Sequence, residues 1–246
     1  MAKQRIVAAL MGDGSIGLIE EDIPQRRPGA VYVEVHASLV SPGTELGGWR
    51  NLKARAENPD PNAKPRPFGY QNAGIVLEVG EGVEEFKPGD RVACMGGGYA
   101  LHTNYTVVPH NLCVALPDNV TFAQGAYNHL AATALMALRR GQPQFGEFCA
   151  VAGLGVVGQL TAMLYELAGS YTIGWDMIPM RLEVAKGWGI TSTVQVGSDD
   201  AVAATKAFTG GYGLDGAVIA FGGNADKALE QLTSCMKLSP DGHHWG

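Results

Sequence analysis

The 246-residue chain is 46% hydrophobic and 17% charged, apolar enough for a sizeable core and too apolar for disorder. A net charge of −6 with no basic cluster excludes nucleic acid as an expected partner. After Met1 and a charged start only IVAALM precedes Gly12 and Asp13, too short for a signal-peptide core or a membrane span, so the chain reads as cytoplasmic with no membrane partner.

Glycine accounts for 34 residues, about twice its usual share, which favours turns and close backbone approaches over a helical bundle. From residue 1 to about 115 the pattern is strand-like. VYVEVHASLV alternates with period two, while AGIVLEVG and NYTVVP are short β-branched runs. Arg27-Pro28-Gly29, Ser41-Pro42-Gly43, Lys87-Pro88-Gly89-Asp90 and Gly96-Gly97-Gly98 punctuate them. Short strands between such turns predict a β-barrel or sandwich. Residues 50–67, charged and carrying four prolines, read as an irregular loop.

Beyond residue 120 the period changes. TFAQGAYNHLAATALMALRR is apolar at helical spacing, with Thr121 as N-cap. The strands FCAVA, YTIGW, TVQV and DGAVIAF then alternate with helices, the pattern of a parallel sheet covered on both faces. The expected division is a β-rich domain over 1–120 and an α/β domain over 121–246. The cysteines Cys94, Cys113, Cys149 and Cys235 lie far apart with no C-x-x-C pair and read as buried small hydrophobes. His36, His102 and His110 read as surface or packing residues, and His243 and His244 as a non-specific metal-binding end.

FCAVA runs into Gly153-Leu154-Gly155-Val156-Val157-Gly158 and then the helical stretch QLTAMLYELAG. This is G-x-G-x-x-G between a strand and a helix. Its glycines give a tight turn, close approach to a pyrophosphate, and close helix–strand packing. Asp176 ends the next strand, 18 residues after Gly158 (176 − 158), near the roughly 20 expected of the acid that accepts ribose hydroxyls. Its charge would repel a 2′-phosphate, so NAD is the expected cofactor. Arg181, five residues on, sits where it can pack beside the adenine or suit a phosphate.

A β-rich half with KPGDRV, followed by GLGVVG in a strand–helix unit, resembles the medium-chain dehydrogenase/reductase family, the zinc alcohol dehydrogenase-like group. The resemblance covers essentially the whole chain. It implies a GroES-like β domain followed by a Rossmann nucleotide domain, hydride transfer to or from a small-molecule substrate, and a homo-oligomer. It also implies that Thr133 is among the cofactor-binding residues.

Against the family pattern this chain departs twice. Members with catalytic zinc carry G-H-E-x-A-G where this chain reads Gly69-Tyr70-Gln71-Asn72-Ala73-Gly74. The family's cysteine ligand falls in SPGTE, at Ser41 or Pro42, and its third ligand position matches His129, four residues before Thr133. Catalytic zinc is therefore expected to be lost, the alternative being an altered site built on Glu45 and His129. The chain also stops at Gly246, short of the family's further strands, and reads as a truncated Rossmann domain.

Without zinc, the residues implied to carry the chemistry are His129 as acid/base, with Tyr70 and Thr44 orienting the substrate. Gln71 and Asn72 can bind hydroxyls without charge, which suits a polyol or sugar as the secondary alcohol or ketone. Two alternatives stand beside this: a zinc-independent quinone or enone reductase, and a nucleotide-binding chain without turnover.

Overall fold

The computed structural model describes residues 4–45, 47, 56–57, 59 and 62–237. The chain divides into two compact units, Met1–His129 and Leu130–Gly246.

In the first unit, β1 (Gln4–Leu10), β2 (Ile16–Asp22) and β4 (Arg66–Pro67) form one sheet in the order β2-β1-β4. A second, antiparallel sheet contains β3 (Ala30–Ser38), β5 (Gln71–Val79), β6 (Arg91–Met95), β7 (Tyr105–Pro109) and β8 (Cys113–Ala115) in the order β7-β3-β5-β6-β8. β3 alternates as its sequence predicts only in its second half; its first four residues are buried on both faces. Val31 and Val33 pack with Val76, Val92, Cys94 and Val108, while Tyr32 packs on the other face with Ala30 and Val107. Half of the expected loop over 50–67 lies outside the described residues. At its end, Arg66 and Pro67 pair with β1 instead of remaining irregular, Pro67 taking the sheet edge that a residue without an N–H tolerates.

The single helix expected over 121–140 is two helices, α1 (Phe122–Gly125) and α2 (Asn128–Gly141). Thr121 and Gln124 form a reciprocal capping box that starts α1. The Asn128 side-chain amide donates to the Gly125 carbonyl at 3.0 Å, which ends α1 and starts α2.

The second unit alternates β9 (Phe148–Ala152), α3 (Val156–Leu167), β10 (Tyr171–Asp176), α4 (Pro179–Gly187), β11 (Ser192–Gln195), α5 (Ala201–Phe208), β12 (Gly216–Ile219) and α6 (Asp226–Thr233). Its four strands are parallel in the order β11-β10-β9-β12. The strand order reverses between β9 and β12, the position at which such sheets bind ligands beyond the carboxyl ends of their strands. Trp175 fills the core with Ile173, Val194 and Leu214 and donates from Nε1 to Thr205 Oγ1 at 3.1 Å, so its one polar atom is satisfied. No helix among the described residues is long and apolar enough to cross a membrane. His243 and His244 lie outside the described residues.

Candidate active site

The glycine loop folds as its spacing predicts. Gly153 has φ +92°, a conformation that side chains disfavour, and its N–H donates to the Trp175 carbonyl at 2.7 Å. Gly155 is the N-cap of α3 and no side chain caps the helix, so the N–H groups of the first turn, including those of Val156 and Val157, are offered to a ligand. A Cβ on Gly155 would meet nothing within 4 Å, whereas one on Gly158 would run into the Gly153 carbonyl.

These residues edge a cleft of about 590 Å³ whose lining includes Gly153, Gly155, Asp176, Arg181, Asn224 and Lys227. Val156 and Val157 stand in the first turn of α3 and are not part of that lining, and Thr133 is exposed on α2. Asn224 and Lys227 went unnoticed in the sequence. Their signal is position: they follow β12, on the far side of the strand-order reversal.

Asp176 is 7% exposed and already has partners. Its Oδ2 accepts from Leu154 N at 2.7 Å and Arg181 Nη1 at 3.3 Å, and its Oδ1 from Ile178 N at 2.8 Å. A carboxylate has about four acceptor positions, so room remains for a ribose hydroxyl. The aspartate thus shapes the loop as well as facing the cleft, and Arg181 offsets part of its charge.

In the first unit, Thr44 and Tyr70 line a second pocket of about 320 Å³ with Glu45, Arg66 and Phe68. The Tyr70 ring meets His129 edge-on at 4.7 Å between centroids. The structure therefore gathers Tyr70 with Thr44 and Tyr70 with His129. Asn128 anchors the start of the helix carrying His129, donating to the carbonyls of Cys94 at 3.1 Å and Asn72 at 3.4 Å.

Gln71 and Asn72 do not face a substrate. Both are fully buried, and their amides donate to the carbonyls of Leu39 at 3.3 Å and Leu101 at 3.0 Å. They hold strands and loops together at the mouth of β5, and the hydroxyl-binding role expected of them falls away.

His102, expected as a surface or packing residue, is buried and held on both ring nitrogens. Its Nε2 contacts Glu45 Oε1 at 3.0 Å, its Nδ1 contacts Ser38 Oγ at 2.9 Å, and both the His102 and Glu45 side chains are 8% exposed. Glu45 Oε2 accepts the Ser41 N–H, so the carboxylate closes the helical turn over residues 42–45 that carries Thr44.

The donor set of the described residues does not fit a tetrahedral zinc. Among the described residues no three His, Cys, Asp or Glu side chains converge. Ser41 or Pro42 and Tyr70 stand at two of the family's three ligand positions, the buried Gln71 replaces the neighbouring glutamate, and Glu45 is engaged by His102 and Ser41.

A β-rich unit joined to a parallel sheet with a glycine phosphate loop defines the two-domain architecture of the alcohol dehydrogenase-like proteins. Residues 27–118 match the alcohol dehydrogenase GroES-like domain. The chain is 30% identical over 216 residues to sorbitol dehydrogenase of Mus musculus, covering 76% of this chain and 59% of that protein. It is 31% identical over 226 residues to (R,R)-butanediol dehydrogenase of Bacillus subtilis, covering 80% and 64%. The chain thus spans about three-fifths of the length of these relatives. An Escherichia coli oxidoreductase/dehydrogenase of unknown specificity superimposes with a TM-score of 0.82 at 23% identity, over 95% of this chain and 74% of that one. The chain belongs to the medium-chain dehydrogenase/reductase family.

Proposed function

We propose that the chain is an NAD-dependent oxidoreductase that moves hydride between the nicotinamide and a polar secondary alcohol or ketone of polyol or sugar type, without catalytic zinc. The observation that carries this reading is the cleft edged by Gly153, Gly155 and Asp176 at the strand-order reversal of a parallel sheet. Similarity to proteins named for sorbitol and butanediol supports the polyol class.

A bound nicotinamide supplies the hydride acceptor or donor. Gly155 leaves space for a pyrophosphate, and the first turn of α3 offers it N–H groups. Asp176 accepts from a ribose hydroxyl with its remaining capacity. His129 takes the hydroxyl proton of the alcohol in oxidation and returns it in reduction, and Tyr70 and Thr44 orient the substrate oxygen by hydrogen bonds. The family resemblance adds a homo-oligomer as the working form.

The test is calorimetric titration of the chain with NAD⁺ and with NADP⁺, followed by an absorbance assay for reduced nicotinamide with sorbitol and butanediol. The reading expects tighter NAD⁺ binding and turnover of at least one polyol. Tighter NADP⁺ binding would overturn the cofactor assignment, and NAD⁺ binding with no polyol turned over would overturn the substrate class.

A further inference from the structure

Cys94 and Cys113 are separated by 18 residues in the chain (113 − 94 − 1) yet stand opposite each other in the β6–β8 ladder. Directly paired antiparallel residues have Cα atoms about 4.5–5.5 Å apart, inside the range of about 4.4–6.8 Å that a disulfide spans. Their sulfurs already touch at 3.7 Å, so bond formation needs a side-chain rotation and no backbone shift. The two thiols differ in access. Cys94 is fully buried, whereas Cys113 is partly exposed on β8, an edge strand whose next residue, Val114, is 54% exposed.

We propose that this pair is a redox modification site for a hydroperoxide, with Cys113 as the attacked-first thiol and Cys94 as the resolving thiol that closes a cross-strand disulfide. In the first step the Cys113 sulfur takes one oxygen from the hydroperoxide; the O–O bond breaks, the peroxide is reduced to an alcohol or water, and Cys113 becomes a sulfenic acid. In the second step the Cys94 sulfur attacks the sulfenic sulfur. The S–O bond breaks and the hydroxide leaves with the Cys94 proton as water. Two thiols and one hydroperoxide thus give one disulfide, one alcohol and one water.

The burial difference sets the order. The contact with Cys113 and then desolvation push the Cys94 thiol well up, which keeps it protonated and inert until its neighbour is activated. The remaining cysteines supply an internal comparison. Cys149 and Cys235 are buried in the other unit and neither has a thiol contact among the described residues. The disulfide would sit beside the Cys94 carbonyl that anchors Asn128, the residue before His129.

The experiment exposes the folded chain to hydrogen peroxide, quenches it with catalase, alkylates the remaining thiols in denaturant and maps the digest by mass spectrometry. No Lys or Arg lies between the two cysteines, but Tyr99 and Tyr105 do, so chymotrypsin separates them into two peptides. The expected result is a Cys94–Cys113 cross-linked pair that dithiothreitol releases, with Cys149 and Cys235 still alkylated. In Cys113→Ser the cross-link vanishes and Cys94 stays alkylatable. Sulfinic acid at Cys113 without a cross-link would overturn the proposal, as would a cross-link to another cysteine or full alkylation at every position in excess peroxide. The wild-type map decides the matter even where a variant folds poorly.

Discussion

A Cβ on Gly158 would lie 1.7 Å from the carbonyl oxygen of Gly153, so the first turn of α3 can rest on the end of β9 only while residue 158 has no side chain. The neighbouring Gly155 stands in open space. The same substitution at the two positions therefore separates folding from binding. Gly158→Ala is expected to lower stability by about 1–3 kcal/mol as the loop is forced apart and to abolish NAD⁺ binding. Gly155→Ala should leave the thermal midpoint almost unchanged while weakening NAD⁺ at least roughly tenfold, or about 1.4 kcal/mol. Equal losses of stability in both variants would contradict the geometry.

Asp176 is asked to do two things, and its variants should show both. Removing the carboxylate strips acceptors from the N–H groups of Leu154 and Ile178, the former belonging to a residue 1% exposed. Asp176→Ala should cost about 1–3 kcal/mol in a urea titration for that reason alone. It also leaves Arg181 in the cleft without its opposing charge, so the ratio of NADP⁺ to NAD⁺ affinity should rise. An unchanged ratio would remove Asp176 as the discriminating residue.

The sequence announced the second unit clearly because glycines in a strand–turn–helix frame have few other uses, and the short continuous runs FCAVA and YTIGW alternate with helical stretches as buried parallel strands do. Both features are local. What was hidden depends on contacts between distant segments. Nothing near Cys94 marks Cys113 as its partner, because the ladder that joins them forms only after the chain has run through β7 at the opposite edge of the sheet and returned. His102 looked unremarkable for the same reason, since Glu45 reaches it from 57 residues away. The α1–α2 break was legible in principle: an asparagine that can terminate one helix and start another interrupts an otherwise uniform helical pattern. Gln71 and Asn72 misled because side-chain type was read without burial, and amides at the start of a strand serve backbone carbonyls as readily as a ligand.

The His102–Glu45 contact should behave as a coupled pair. Both side chains are almost fully buried, and losing one leaves the other's polar group stranded. His102→Ala is expected to destabilise the first unit by about 3–5 kcal/mol, whereas the double variant with Glu45→Ala should cost clearly less than the sum of the two singles. A urea-based double-mutant cycle with strictly additive values would show that the contact carries no energy.

If His129 exchanges the substrate proton, its loss should fall on turnover and spare cofactor binding, because it is not part of the cleft lining. His129→Gln is expected to reduce kcat by about 10²–10⁴-fold with NAD⁺ affinity unchanged. Tyr70→Phe keeps the edge-on ring contact and loses only the hydroxyl, so it should raise KM more than it lowers kcat. A His129→Gln enzyme at wild-type kcat would remove that residue from the chemistry.

Alkaline pH should loosen the second unit through Cys149. Burial is the main cause that pushes its thiol from an ordinary 9.0 to about 11. The folded state therefore holds the proton more tightly than the unfolded chain does. Stability from this group is fully present below about pH 9 and is lost as pH rises from about 9 to about 11. A shift of that size corresponds to at most about 3 kcal/mol. Tyr165, pushed up by burial to about 12, extends the loss further in the same direction. Denaturant midpoints measured across that range should fall for the wild-type chain and fall less steeply for Cys149→Ala, whose pH dependence keeps only the contributions of the remaining groups. Parallel curves for the two proteins would show that the buried thiol takes no part in the alkaline transition.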